Sequence, residues 1–238
     1  MATTAMFVLK PLTNFARATS PFTGMSSSNS KLLFLHTGNF NPSGENKNFQ
    51  YIKDIKNNNA NAILLNAGQT LQDEKGSLTY DVSFNRSEDL SEITGEYKII
   101  NKGNLRTGII SASPEESNVI QKIKTLSTYL KKEKNCTVVV CLSQLGYKNK
   151  NAPDDISLAK NSTDLDIIIG GHAKNFHLHP VIALNSNNAE VVIHSSANDA
   201  TGFGKIEIDF DGQGRKKHIS FNNHSSKNTA PKQDIIAA

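Results

Sequence analysis

Long apolar runs are missing from this chain. No stretch of its 238 residues approaches the roughly 18 consecutive apolar residues that a membrane-crossing helix needs, so no membrane span is expected. Concentrated charge of one sign is missing too. The 26 basic and 22 acidic residues are spread along the chain and leave a formal net charge of +4, which provides no basic field for nucleic acid or an anionic surface. No nucleic-acid partner is expected. Cysteine is scarce: Cys136 and Cys141 flank one apolar run, and five residues of strand would hold them roughly 16 Å apart, beyond the reach of a disulfide. Two buried thiols are expected instead. Residues 1–30 lack acids, carry Lys10 and Arg17, and pass from a short patch "AMFVL" into the Ser/Thr-rich "SPFTGMSSSNS". That texture fits the later part of an export leader without its Arg-Arg, and it equally fits a disordered tail. Residues 222–238 are polar and without periodicity, and are expected to be a disordered tail.

What is present lies between those ends. A hydrophobic content of 37% suffices for one packed domain, expected over residues 31–221. "KLLFLH" (31–36) and "NAILLNAG" (61–68) read as buried strands, with Phe49, Ile52 and Ile55 at helical spacing between them. "YKII" and "RTGIISA" flank Asn101-Lys102-Gly103-Asn104, a hairpin signal. In the segment from Ser113, that residue can cap a helix, Pro114 suits its first position and Glu116 completes a capping box. Val119, Ile120, Ile123, Leu126 and Leu130 form its apolar stripe. "CTVVVCLSQLG" and "LDIIIGG" are continuous apolar runs, as central strands covered on both faces require. After Val181 the alternation suits antiparallel hairpins. The fold class is therefore α/β: a layered sandwich with central strands flanked by helices and a β-rich C-terminal half.

Four strands end in polar residues and glycine, at His36-Thr37-Gly38-Asn39, Asn66-Ala67-Gly68-Gln69, Ser143-Gln144-Leu145-Gly146 and Gly170-Gly171-His172. In open α/β folds ligands bind beyond such strand ends. At these tips the chain resembles the calcineurin-like metallophosphoesterases of the 5'-nucleotidase type. "LLFLHTGNFN" is similar to their L-H-T-N-D-x-H, "ILLNAGQTLQ" to L-L-D-A-G-D-x-x-Q, "VVVCLSQLGYK" to V-x-L-S-H-L-G and "DLDIIIGGHAKNF" to D-x-D-x-I-I-G-G-H-[ST]-[HQ]. The resemblance covers about residues 31–211 and implies a metallophosphoesterase-like sandwich.

The resemblance also implies chemistry. Such enzymes hold two divalent metals about 4 Å apart to bind a phosphate ester and activate water. Two dications at that separation repel by roughly 16 kcal/mol at an effective dielectric near 20, so anionic ligands must offset them. Here the matching positions are neutral: Asn39 for an aspartate, Asn41 for a histidine, Gln69 for the bridging aspartate, Asn66 for the aspartate three places before it, and Gln144 for a histidine. His172 is the one retained ligand position, and Lys174 stands where the next ligand belongs. The Gly-Asn-His-[ED] segment is not recognisable, and only "DEKGSLT" remains between Gln72 and Tyr80. Amide oxygens coordinate a hard cation without neutralising it. The expected cofactor state is no metal, or at most a single divalent ion such as Mn, Zn or Mg.

Other readings of the same residues stay open. His172 also fits a turn after a strand. With His177 and His179 it could surround one zinc, although solvated loop histidines before Pro180 fit as well. Ser143 shows no His/Asp partner in the sequence pattern for a nucleophilic role. His36 is expected to pack below the site. The shortening after Gln72 would uncover a sheet face and call for a protein partner or a homodimer. The function expected is a degenerate, catalytically inactive metallophosphoesterase domain with a binding or assembly role. Alternatives are a phosphate-ester hydrolase with a reduced metal site, and a binder of phosphate or a nucleotide-like molecule through Lys174. Relatives of this type work outside the cytoplasm, which implies a periplasmic or exported protein, or a cytoplasmic one if the leader does not function.

Overall fold

The computed structural model describes residues 30–38, 47–68, 78–84, 97–171, 179–196, 202–224 and 233–236. Its first unit is β1 (Ser30–Thr37), α1 (Lys47–Asn58) and β2 (Ala62–Asn66), with the two strands parallel. β1 and β2 are buried along nearly their whole length because both faces are covered. On one face Leu33, Leu35, Ala62 and Leu64 receive Ile52 of α1, with Phe49 and Ile55 beside it, as the helical spacing predicts. The opposite face contributes Leu32, Phe34, Ile63 and Leu65 to the central core.

This sheet runs β12-β11-β10-β1-β2-β3, where β3 is Val82–Ser83, β10 Phe203–Phe210, β11 Lys216–His224 and β12 Gln233–Ile236. β10 alternates: Ile206, Ile208 and Phe210 enter the core, while Lys205, Glu207 and Asp209 face out. Lys31 lies 3.9 Å from Glu207 and 3.5 Å from Asp209. The described part of that outer face beyond α1 thus carries charged side chains. The segment expected to be a tail contributes strand: β11 runs to His224, and residues 233–236 pair antiparallel with its Phe221-to-His218 stretch.

The second sheet runs β4-β5-β6-β7-β9-β8. β4 (Tyr97–Lys102) and β5 (Leu105–Ala112) form the expected hairpin, closed at Gly103, whose φ of +59° suits glycine. β6 (Val138–Ser143) and β7 (Ile167–Gly170) are its central strands, parallel to β5 and to β9 (Glu190–Ser195). β8 (Val181–Leu184) pairs antiparallel with β9. Along β6, Val138, Val140 and Leu142 face the first sheet, whereas Val139 and Cys141 face α2 (Val119–Lys132) and α3 (Asp155–Asn161). Both cysteines are free and buried. The result is a four-layer sandwich: α1, sheet, sheet, then α2 and α3. Among the described residues no helix is long and apolar enough to cross a membrane.

Two local details differ from expectation. The helix predicted from Ser113 begins at Val119, because Asn118 adopts the left-handed conformation at φ 58° and interrupts helical geometry. Ser113 to Glu116 instead form a turn, with Glu116 N–H donating to the Ser113 carbonyl at 3.2 Å, and the Glu116 carboxylate meets Lys122 at 3.1 Å. The stripe is correct: Val119, Ile123, Leu126 and Leu130 are buried. α3, which apolar spacing does not announce, is held by a capping box in which Asp154 and Ser157 exchange side-chain and backbone bonds.

At the end of the sandwich opposite the strand tips considered below, one carboxylate joins three layers. Asp166, just before β7, accepts from Val139 N–H at 2.7 Å, from Lys131 of α2 at 2.7 Å and from Lys216 of β11 at 2.7 Å. Burial pushes its pKa up, but the two lysines more than offset that and hold it below the ordinary carboxylate value.

Candidate functional site

The C-terminal ends of β1, β2, β6, β7 and β9 come together where the two sheets meet. Ala67 N–H donates to the Thr37 carbonyl at 2.9 Å and joins the tips of β1 and β2. Gly171 N–H donates to the Ser143 carbonyl at 2.8 Å and joins those of β6 and β7. Across the sheets, Gln144 Nε2 donates to the Ala67 carbonyl. Gly171 packs so closely on Ala67 that a Cβ there would fall onto its carbonyl. A Cβ on Gly38 would sit 3.1 Å from Ser196 Oγ and 3.7 Å from the Gly171 carbonyl. At Gly171, therefore, glycine is required because backbone meets backbone.

The floor of this region is neutral. Asn66, buried, accepts from Gly68 N–H at 3.0 Å through Oδ1 and donates to Ser83 Oγ at 3.3 Å through Nδ2. Tyr80 Oη, Thr37 Oγ1 and Asn66 Oδ1 follow one another at 3.0 and 3.3 Å. Burial pushes the Tyr80 phenol up to about 12, against the lowering effect of its Thr37 hydrogen bond, so it stays uncharged. Asn66 thereby fixes the turn after β2.

Ser143 does have an acidic partner, contrary to the sequence reading. Its Oγ donates to the Asp155 carboxylate. Both groups are buried on the helix side of the second sheet, and Asp155 rises to about 7 through desolvation, which the Ser143 hydrogen bond only partly counters. A carboxylate bonded directly to a buried hydroxyl, with no histidine between them, does not make an activated nucleophile.

His36 packs below the tips, as expected, but with a partner that the sequence did not suggest. Its Nε2 lies 2.6 Å from Nδ1 of His194, a residue on β9 in phase with the buried Val192. Both rings are buried. Desolvation and the neighbouring His194 hold His36 well below 6.5, and desolvation takes His194 to about 3.

Of the residues singled out as ligand or anion positions, the described region contains Gln144 and Asn66. Asn39, Asn41, Gln69, His172 and Lys174 lie outside the described residues, although Asn39, Gln69 and His172 each follow a described tip directly in the chain. His177 is also outside them, and His179 is exposed just before β8. Among the described residues no three His, Cys, Asp or Glu side chains gather as a metal site.

The geometry can be set beside known proteins. No family model matches the chain, and no curated protein matches it in sequence. Solved structures do match. A 5'-nucleotidase precursor from Thermus thermophilus superposes with a TM-score of 0.60 at 16% identity, over 82% of this chain and 54% of that one. Haemophilus influenzae NAD nucleotidase gives 0.56 at 12%, over 88% of this chain and 54% of that one. The chain has the fold of the 5'-nucleotidase-type metallophosphoesterases. It spans about half the length of those two. GAP50, described as the anchor in the inner membrane complex of Plasmodium, is similar at a TM-score of 0.51 and 12% identity, over 87% of this chain and 89% of that one.

Of the candidate ligand positions, Gln144 and Asn66 lie among the described residues. Gln144 donates through Nε2 to the Ala67 carbonyl and ties the two sheets together. Asn66 is likewise committed to its own turn. Neither contributes negative charge.

The buried titratable groups predict a stability profile. His36 and His194 have folded pKa values below the ordinary 6.5, so their contribution is present above 6.5 and lost as pH falls. Half-buried His224, lowered by desolvation and by Lys205, acts in the same direction. Asp155 is raised from 3.8 to about 7, so its contribution is present below about 4 and is lost as pH rises through about 7. Below pH 6.5 the histidines take up protons on unfolding, against the one that Asp155 releases. Stability should therefore be greatest near pH 6.5 and fall as pH drops toward 5, in urea titrations at fixed temperature. A profile that rises toward pH 4.5 would contradict the buried-histidine geometry.

Proposed function

We propose that this is a 5'-nucleotidase-type metallophosphoesterase domain that does not hydrolyse phosphate esters and serves as a binding or assembly domain. The observation that carries the reading is that Gln144, where the resemblance puts a metal-binding histidine, is an uncharged amide whose Nε2 ties it to the Ala67 carbonyl of the other sheet. The neutral residues Asn39, Asn41 and Gln69, with Lys174 adding positive charge, support it from the sequence. Without carboxylates, the roughly 16 kcal/mol repulsion between two dications is not offset. The same fold is found in the Plasmodium anchor protein, a role that needs no such pair.

In this reading the ligand is a phosphate or nucleotide-like anion held by Lys174 and tip amides, or a protein partner that includes a second copy of the chain. The test is turnover of nucleotides and a generic phosphate ester by the purified chain with Mn, Zn or Mg, with and without chelator. No chelator-sensitive turnover is expected. Hydrolysis that chelation abolishes and metal restores would overturn the proposal. Thermal-shift titration with nucleotides tests the small-molecule arm, since ligand at 100 times Kd should add about 2.7 kcal/mol of stability.

A further inference from the structure

The layer directly beneath the strand tips is polar, whereas the space between the sheets below it is filled mainly by Val, Ile, Leu and Phe. His36 faces inward from β1, its register neighbour on β10 is Gly204, and the next on β11 is Asn223. Gly204 is required here, because a Cβ would fall within the His36 imidazole, which leans across it. From the other sheet His194 descends to meet His36 edge to face, with ring centroids 4.8 Å apart and planes at 84°. Two imidazole nitrogens at 2.6 Å must share a single proton, one ring donating and the other accepting.

We propose that the His36–His194 pair is an acid-sensitive latch between the two sheets: one proton can be carried with the bond intact, but once both rings are protonated two N–H groups stand face to face, the bond breaks and the tips of β1 and β9 part. This goes beyond the binding role proposed above and does not depend on it. The bond leads directly into the site, since His36 precedes Thr37-Gly38 and His194 precedes Ser195-Ser196, and Gly38 and Ser196 are in contact.

Among the described residues, no fixed charge faces the pair from the elements packed around it. On β1, β10 and β11, Lys31, Lys205, Glu207, His218 and His224 stand on the outer face. Tyr80 lies beyond outward-facing Thr37, next to β2. Asp155 and Cys141 are on the helix side of the second sheet. Asp166, Lys216 and Glu190 are at the opposite end of the strands. The open valences around the pair favour local parting over global unfolding. His36 Nδ1 and both polar atoms of the Asn223 amide are buried without a partner among the described residues, and entering water would satisfy all three. The clamp at the far end stays shut in the same pH range, because Asp166 remains ionised there.

Hydrogen exchange of the full chain at pH 7 and pH 5, corrected for intrinsic rates, tests this. The Ala67 and Gly171 amides at the tips should lose protection by more than tenfold per pH unit relative to Val139 N–H at the clamp. Equal loss at both ends, or none at either, would overturn the proposal. A His194→Gln variant, which keeps a hydrogen-bonding amide without titrating, should remove the tip-specific pH response. If that response persists in the variant, the latch is not the histidine pair. The wild-type exchange pattern decides alone should the variant not fold.

Discussion

A Gly171→Ala variant is expected to lose about 3 kcal/mol of stability or more, at the upper end of what one added methyl costs in a packed interior. The new Cβ would overlap the carbonyl of Ala67 and approach Gln144 Nε2 to 2.5 Å. A flexible side chain can swing away from such a contact. The Ala67 carbonyl is backbone, anchored through its own N–H to Thr37 in β1, and so moves only with the first sheet. The substitution would have to separate the sheets where the Gln144 tie and the histidine pair join them. Urea unfolding gives the measurement, with Gly103→Ala as the comparison. Gly103 has open space around it and only the strain of φ +59° to meet, worth about 1 kcal/mol. If the two variants cost the same, the close approach of the sheets at the tips is wrong.

Asp166→Ala should be the most damaging removal of a polar side chain, at about 3 kcal/mol, the low end for breaking a buried pair because the lysines are partly exposed. It strands the buried Val139 N–H and takes the shared partner from Lys131 and Lys216. Asp166→Asn keeps an acceptor for Val139 and lets the lysines turn to water, so it should cost about half as much. The sign of the pH dependence distinguishes this clamp from the histidines. Asp166 is lowered from 3.8, so its contribution persists above that value and is lost only as pH falls below it. The difference between wild type and Asp166→Ala should stay constant from pH 7 to pH 5 and shrink below pH 3.8. A difference already gone at pH 5 would mean that the ion pairs are not made.

Both expectations rest on contacts that the sequence did not announce, and the way they were missed is informative. The hairpin at Gly103, the β8–β9 hairpin, the helix face of α1 and the stripe of α2 were legible because each depends on spacing within one segment. The first turn of α2 was misread because Ser113, Pro114 and Glu116 satisfy a capping pattern that a left-handed Asn118 overrides. His194 carried a usable signal: a histidine in phase with buried Val192 and beside buried Ile193 must find a polar partner or remain unsatisfied. Asp155 carried less, since nothing local pairs it with Ser143, twelve positions earlier in the chain.

Sequence by itself determined the alternation of strands and helices and which runs are buried on both faces. Those properties follow from side-chain type and local period. Only the tertiary structure decided that the Gln144 amide ties to Ala67, that His36 meets His194 across 158 positions, and that Asp166 joins α2 to β11. Each of these bonds crosses between layers. Its length is set by how two twisted sheets stack and how closely their glycines let backbone approach backbone, which the preferences of a single segment do not encode.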